Sequence, residues 1–100
     1  ITLPFVPEHC AHNGHMFYVL TRDIDDRSAF IAAAKANGVQ APFHYVPLHS
    51  APAGLKFGRA VGDMSVTDDA SARLVRLPVF WGIKDQQDQI IDAVLRHFAT

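Results

Sequence analysis

The stretch Phe43-His44-Tyr45-Val46-Pro47-Leu48-His49 brings two imidazoles and a phenol close together around a proline. Because proline has no amide hydrogen and restricts the residue before it, the stretch predicts a strand that ends in a rigid, exposed turn. Such turns present polar groups to ligands. His44 and His49 can donate or accept hydrogen bonds and change charge near neutral pH. Two interpretations stay open: a ligand-binding turn, or a strand end whose histidines are satisfied by local hydrogen bonds.

The segments before this turn predict a strand, a helix and a second strand. Residues 16–20 form a short apolar run of strand formers, which predicts a first strand covered on both faces. Residues 25–37 or 26–37 predict a helix, because acidic residues favour its positive end and Gly38 stops it. Val39 to Tyr45 is the predicted second strand. A strand, helix and strand joined by short links make one compact α/β unit.

Shorter elements are predicted after the turn. Ser50–Gly54 is typical of a loop, and Leu55–Arg59 predicts a short helical turn. Thr67 suits the N-cap of a further helix. The apolar face of that helix is predicted at Ala70, Leu74 and Leu77. Pro78 ends the helix, and residues 77–81 predict a third, short extended segment.

The clearest periodic pattern lies near the C-terminus. Asp85 is predicted to cap a last helix, whose apolar residues recur at helical spacing on one face. These residues are Ile90, Ile91, Val94, Leu95 and Phe98. We expect this stripe to be buried core and not a surface for a partner protein. The elements together predict an α/β (α+β) fold of about three strands, with the helices mainly on one face.

Composition narrows the class of protein. The 100 residues are 49% hydrophobic and 19% charged, with a formal net charge of −1, which predicts a globular domain with one core. This balanced charge gives no argument for nucleic acid or an anionic membrane as a partner. No apolar run reaches the ~18 residues of a membrane-spanning helix. Cys10 is the only cysteine, which excludes an internal disulfide and favours a reducing, cytoplasmic location.

The N-terminal segment differs from the rest of the chain. Ile1–Pro7 is apolar and contains two prolines, which predicts an extended connector and not a helix. The first residue is not methionine. We therefore expect the segment to arrive from something larger, although processing of a precursor would give the same start.

A cluster of histidines beside a cysteine raises the hypothesis of a zinc site. His9, Cys10, His12 and His15 carry imidazole and thiolate groups, which are zinc ligands. Their spacing matches no common zinc-finger pattern, so polar surface is the competing interpretation. Neither Cys10 nor Ser50 has an assignable acid–base partner, so the sequence does not support a hydrolase triad.

The string His44-Tyr45-Val46-Pro47-Leu48-His49 resembles the HYxPLH segment of the DegT/DnrJ/EryC1/StrS sugar aminotransferases. Further segments resemble that family in the same order along the chain: residues 12–18, the acidic turn 23–27, Ser50-Ala51-Pro52-Ala53-Gly54, Phe57-Gly58-Arg59 and Leu77-Pro78. The resemblance implies that residues 12–100 are the C-terminal small domain of a fold type I transferase. Residues 1–11 would then connect this domain to a large N-terminal domain.

The resemblance also implies the chemistry of a longer parent enzyme. Members of the family are homodimers that use pyridoxal phosphate to aminate nucleotide-linked ketosugars. The segments are most similar to members that transfer the amino group of glutamate to dTDP-4-keto-6-deoxyglucose, giving dTDP-4-amino-4,6-dideoxygalactose for bacterial surface polysaccharide. Lys35, Lys56 and Lys84 do not match the lysine motif of the family. The resemblance therefore implies no Schiff-base lysine, no bound cofactor and no catalytic residue in these 100 residues alone.

The resemblance places His44, Tyr45 and His49 at the mouth of the active site as substrate-binding residues. Imidazole and phenol groups can hydrogen-bond both the hydroxyls and the diphosphate of a nucleotide sugar. His15 is a further candidate, equally well explained as a capped surface histidine. A free-standing ligand-binding or regulatory α/β module is the alternative, because the pattern of strands and helices alone allows it.

Overall fold

The computed structural model describes residues 1–99, with a two-stranded antiparallel sheet and four α-helices. Strand β1 (Phe17–Leu20) pairs with β2 (Leu74–Leu77) in a register that sets Val19 opposite Val75. Both valines are buried. The α+β fold class predicted from the sequence is confirmed.

The predicted strand Val39–Tyr45 is reduced to a single bridge between Phe43 and Val75. Beside that bridge, the amide of Arg76 donates to the carbonyl of Pro42 at 2.9 Å. Pro42 has no amide hydrogen to return, so a regular ladder cannot continue through it. An extended segment therefore flanks β2, but the described part of the chain contains two strands where about three were predicted.

The N-terminal segment lies along the other edge of the sheet. The amide of Thr2 donates to the carbonyl of Leu20 at 2.9 Å, and the amide of Leu20 donates back to Thr2 at 3.0 Å. The order across the sheet is therefore the Thr2 segment, β1, β2 and the Phe43 segment.

Helix α1 (Ile24–Ala36) begins one or two residues before the predicted start. Asp23 is its N-cap, and the Asp23 carboxylate accepts from the amide of Asp26 at 2.8 Å. In return, the Asp26 carboxylate accepts from the amide of Arg22 at 3.0 Å. Reciprocal bonds of this kind satisfy amides that a helix start leaves unpaired. Gly38 follows the helix at φ +74°, so the predicted glycine stop is confirmed.

The segment after the turn is helical earlier than predicted. Helix α2 spans Pro52–Phe57, so it includes the last three residues of the predicted loop Ser50–Gly54 and ends before Arg59. Proline is favoured at the first position of a helix, because an amide there would have no helical acceptor. The sequence prediction placed Pro52 in a loop and so began the helical turn too late.

Helix α3 (Ser65–Arg73) begins two residues before the predicted cap Thr67. The Asp63 carboxylate accepts from the amide of Ser65 at 3.0 Å instead. The helix ends at Arg73, so Leu74 and Leu77, which were predicted on its apolar face, lie in β2. The third extended segment thus begins three residues earlier than predicted, because pairing with β1 takes the apolar run out of the helix.

A 3-10 turn (Ile83–Gln86) precedes helix α4 (Gln87–Phe98), which has no side-chain N-cap. Asp85 lies inside that turn, so the prediction that it caps the helix is wrong. Members of the predicted stripe that pack against the core are Ile90, Val94 and Phe98. Ile91 and Leu95 are 43% and 58% exposed, so the stripe is only partly core. Helix α4 packs against α1, and the described residues leave Ile91 and Leu95 partly uncovered.

One apolar core joins the sheet to α1 and α4. Its buried members are Val19, Phe30, Ala34, Val39, Ala41, Val75 and Ala93. Phe30 is fully buried, and its ring centroid lies 4.8 Å from that of Phe98 and 5.3 Å from that of His97. Within residues 1–99, no helix combines the length and the apolar character that crossing a bilayer requires.

A second, polar contact joins the C-terminal end of β1 to the junction of α3 and β2. We call Thr21, Asp69 and Arg73 the Thr21 cluster. Thr21 is fully buried, and its hydroxyl donates to the carbonyls of Asp23 and Arg73, both at 3.0 Å. Arg73 Nε donates to the carbonyl of Thr21 at 2.7 Å, and Nη1 donates to the Asp69 carboxylate at 2.7 Å. These bonds tie the end of β1 to the junction of α3 and β2.

Candidate functional site

A groove of about 650 Å³ opens between the segment that leads into the turn, the end of β2 and the start of α4. Polar side chains that line it include His15, His44, Tyr45, Arg76, Gln86 and Gln89. Its apolar wall includes Val39, Leu77 and Phe80. Both the volume and this mixture of apolar wall and few polar groups are typical of small-molecule sites.

Tyr45 connects the polar groups of the groove. Its ring centroid lies 4.7 Å from that of His44, in an edge-on arrangement. The guanidinium carbon of Arg76 lies 5.9 Å from the centroid of the same ring. Tyr45 is 73% exposed, so the ring contacts two basic side chains and still presents most of its surface to solvent.

Two nitrogen atoms of the groove are buried without a hydrogen-bond partner in residues 1–99: Nδ1 of His44 and Nε of Arg76. Buried polar atoms are paired in the large majority of protein structures. His44 and Arg76 therefore each have a nitrogen atom at this groove with no protein hydrogen-bond partner.

Arg76 is a site residue that the sequence analysis missed. A helix reaching Pro78 would place Arg76 near its C-terminal end, where cations are favoured. The structure instead places it in β2, where it is the one charged residue in an apolar run. That isolated charge is the signal that could have identified it.

His49 is separated from the other two predicted site residues. Its Nε2 lies 2.7 Å from Oδ1 of Asp68 on α3, and its side chain is 19% exposed. It does not line the groove that His44 and Tyr45 share. The interpretation of a locally satisfied histidine therefore describes His49, whereas the groove brings His44 and Tyr45 together with His15.

The turn that carries these residues is held against α2. The amides of Ser50 and Ala51 donate to the carbonyl of Pro47 at 3.1 and 3.0 Å. At Gly54 a Cβ atom would lie only 1.5 Å from the carbonyl oxygen of Leu48. Only glycine allows the first turn of α2 to approach the backbone so closely, so Gly54 fixes the position of the turn.

The histidines ahead of β1 make local contacts instead of a metal centre. Nδ1 of His12 accepts from the amide of Gly14 at 3.0 Å, and the His15 ring pairs with the side chain of Asn13. The rings of His12 and His15 stack with centroids 5.9 Å apart. Within residues 1–99 no group of three or more His, Cys, Asp or Glu side chains is placed to hold a metal ion. The zinc hypothesis for His9, Cys10, His12 and His15 therefore gains no support.

Comparison with known proteins confirms the resemblance of the HYxPLH string. The sequence model of the DegT/DnrJ/EryC1/StrS aminotransferase family matches residues 1–95. The chain is also 31% identical over 96 residues to the uncharacterized protein MJ1066 of Methanocaldococcus jannaschii. That alignment covers 91% of this chain and 24% of the relative, so the chain spans about a quarter of the relative's length. The chain belongs to the DegT/DnrJ/EryC1/StrS aminotransferase family.

Proposed function

We propose that these 100 residues are the C-terminal small domain of a longer, pyridoxal-phosphate-dependent sugar aminotransferase. One observation carries the proposal: a chain that matches this family has a groove in which His44, Tyr45 and Arg76 surround a single opening. In this proposal residues 12–100 form the small domain. Residues 1–11 connect it to a large domain elsewhere in the complete protein.

The residues of this chain do not fit the cofactor by themselves. Pyridoxal phosphate needs a lysine amine to react with its aldehyde. Lys35, Lys56 and Lys84 are exposed, and none of them lines the groove that holds His44. We therefore assign the cofactor and its lysine to the rest of the complete protein, and the holding of substrate to this domain.

His44 and Tyr45 are proposed to contact the sugar substrate. Imidazole and phenol groups hydrogen-bond hydroxyl and carbonyl oxygens in either direction, and both side chains face one groove. Holding a ketosugar in place over a reactive group accounts for a large share of the rate in such reactions. His49 is assigned to the mouth of the site, where its bond to Asp68 keeps the turn in place.

The proposed reaction is that of a dTDP-4-amino-4,6-dideoxygalactose transaminase. The complete enzyme, as a homodimer, would move the amino group of glutamate to dTDP-4-keto-6-deoxyglucose. This assignment is supported by the similarity of segments along the chain, including the HYxPLH string and Leu77-Pro78. The product would enter the synthesis of a bacterial surface polysaccharide.

A free-standing ligand-binding module is the second candidate. It is favoured by the fact that the groove is formed entirely within residues 15–90. Such a module would bind its ligand in the isolated chain as tightly as in any longer protein.

The test is an amino-transfer assay from glutamate to dTDP-4-keto-6-deoxyglucose, with the complete protein and the 100-residue chain assayed side by side. We expect amino sugar from the complete protein and none from the isolated chain. Transfer to a different ketosugar would keep the family activity and reject the proposed substrate. Tight ligand binding by the isolated chain, with no transfer by the complete protein, would favour the binding module.

A further inference from the structure

Arg76 differs from Arg73 in its contacts. The side chain of Arg76 has no hydrogen bond or ion pair within the described residues. Arg73 donates to the carbonyl of Thr21 and to the carboxylate of Asp69. Arg76 has only the ring of Tyr45, 5.9 Å from its guanidinium carbon. An aromatic face attracts a cation, but it leaves the N–H donors of the guanidinium unused.

His44 repeats this pattern on the same groove. Its Nδ1 is buried and unpaired, and its ring packs edge-on against Tyr45. Arg76 and His44 therefore each have a buried, unpaired nitrogen atom, contact the ring of Tyr45 and line the same groove. Since protein interiors rarely leave such groups unsatisfied, both indicate a ligand. The N–H groups of Arg76 require ligand atoms that accept hydrogen bonds, and Nδ1 of His44 can donate to the same ligand in its Nδ1–H tautomer.

The charge of the groove favours an anionic ligand. Arg76 is a permanent cation, the imidazoles of His15 and His44 add further donors, and no acidic residue of the described chain lines the groove. A planar guanidinium matches the oxygen atoms of phosphate and carboxylate groups in a two-pronged geometry. The volume of about 650 Å³ has room for a ligand well beyond a single phosphate.

We propose that Arg76, with His44 beside it, binds the diphosphate of the nucleotide sugar and is a specificity-determining residue of the site. The identity of the ligand rests on the proposed function. The diphosphate supplies the negative charge and the acceptor oxygens that these two side chains lack. Gln86 and the apolar wall at Phe80 lie at the same groove and suit the nucleoside that the diphosphate carries.

The experiment measures binding of dTDP alone to the complete protein by titration calorimetry. The variants are Arg76→Gln, which removes the charge, and Arg76→Lys, which keeps the charge but loses the fork of donors. Arg59→Gln is the matched control, because Arg59 is exposed and does not line the groove. We expect Arg76→Gln to raise the Kd for dTDP about tenfold or more, which is the loss of one charge-assisted hydrogen-bonding group. Arg76→Lys should raise it less, and Arg59→Gln should leave it unchanged.

The same titration contains the results that would overturn the proposal. Equal Kd values for wild type and both Arg76 variants would reject Arg76 as a diphosphate ligand. Arg76→Lys provides the test if Arg76→Gln does not fold, as judged by circular dichroism. An equal loss of dTDP binding in Arg59→Gln would show a general charge effect and would also reject the proposal.

A separate measurement distinguishes the diphosphate from the carboxylates of the amino donor. Amino transfer from glutamate to the cofactor can be followed without any sugar present. We expect its dependence on glutamate concentration to be the same in wild type and Arg76→Gln. If Arg76→Gln needs a tenfold higher glutamate concentration for half-maximal transfer while its Kd for dTDP is unchanged, Arg76 binds the amino donor instead. If the complete protein transfers no amino group at all, the proposed function fails, whereas the dTDP titration still decides whether Arg76 binds diphosphate.

Discussion

Arg73, the last residue of α3, and Arg76, in β2, lie three positions apart in the sequence, yet their surroundings are opposite. Arg73 belongs to the Thr21 cluster, where it donates to one carbonyl and one carboxylate. Arg76 lines an open groove beside Tyr45, and its Nε is buried without a partner. Arg73 therefore stabilises the fold, whereas the donors of Arg76 remain available to a ligand.

The difference shows how this small domain separates stability from binding. In the Thr21 cluster, each polar atom that leaves water finds a protein partner, so burial there favours the folded state. In the groove, the unpaired nitrogen atoms lower the stability of the domain, and only a bound ligand can offset this cost by supplying hydrogen-bond partners. Sites of this kind are places where the rules of a well-satisfied interior are broken for function.

The largest expected effect comes from replacing each arginine by methionine, which keeps the apolar stem and removes the charge. Arg73→Met should reduce the free energy of unfolding by about 1–3 kcal/mol, because the buried carbonyl of Thr21 loses its donor. Arg76→Met should change it by less than about 1 kcal/mol in either direction, because it loses a cation–π contact and also removes a buried, unpaired Nε–H group. Chemical denaturation of both variants measures the difference. Equal losses would contradict the distinction between a structural Arg73 and a ligand-binding Arg76.

A smaller effect is expected at Asp26, which lies beside Thr21 and Arg73 of the Thr21 cluster. The hydrogen bond from the amide of Arg22 holds the pKa of Asp26 below its ordinary value of 3.8, and burial opposes this. The charges of Arg22 and His97 add to the lowering; Nε2 of His97 lies 3.6 Å from Asp26 Oδ1. Because the folded-state pKa is depressed, the ionised carboxylate stabilises the domain above pH 3.8, and this contribution is lost as pH falls through the lower pKa.

The variant Asp26→Asn tests that pH dependence, because asparagine has a similar shape and does not titrate. Near pH 7 we expect it to be about 1 kcal/mol less stable than wild type, the usual net value of one hydrogen bond. The gap should close as the pH falls below 3.8. Asp92→Asn is the control, since the Asp92 side chain is 64% exposed in a loose pair with Arg96. A gap that persists unchanged at low pH would show that the charge of Asp26 is not what stabilises the helix start.

The smallest effect is expected at His49, which pairs with Asp68 on α3 and does not line the groove. The pair of His49 and Asp68 joins the turn to α3 at 2.7 Å, and the Asp68 side chain is 57% exposed. A partly exposed pair of this kind contributes about 0.2–1 kcal/mol. His49→Ala should therefore leave the midpoint of thermal unfolding nearly unchanged, with Asp68→Ala giving the same small shift and the double variant no more than either. Additive losses in the double variant would show that the two side chains do not act as a pair.

The sequence alone predicted several features correctly because they depend on near neighbours. Helix α1 was recognisable from its acidic first turn and from Gly38, whose left-handed conformation ends the helix. The family was recognisable from the HYxPLH string and from the order of short segments around it. These are local patterns, and they hold wherever the rest of the chain lies.

Other features depended on contacts between distant parts of the chain. Leu74 and Leu77 fit a helix by their spacing, but pairing with β1 places them in a strand. Ile91 and Leu95 belong to the apolar stripe of α4, but no part of the described chain covers them fully. Propensity is a weak preference, and tertiary contacts override it.

The candidate site divides in the same way. The sequence by itself determined that His44, Tyr45 and His49 lie on one turn, because the proline between them restricts the backbone. Only the tertiary structure decided that His49 turns to Asp68 while His44 and Tyr45 meet Arg76, which lies thirty-one positions after Tyr45 in the chain. The physical reason is that hydrogen bonds and ring contacts act over a few ångströms in space, and which side chains come that close is set by how the strands pair.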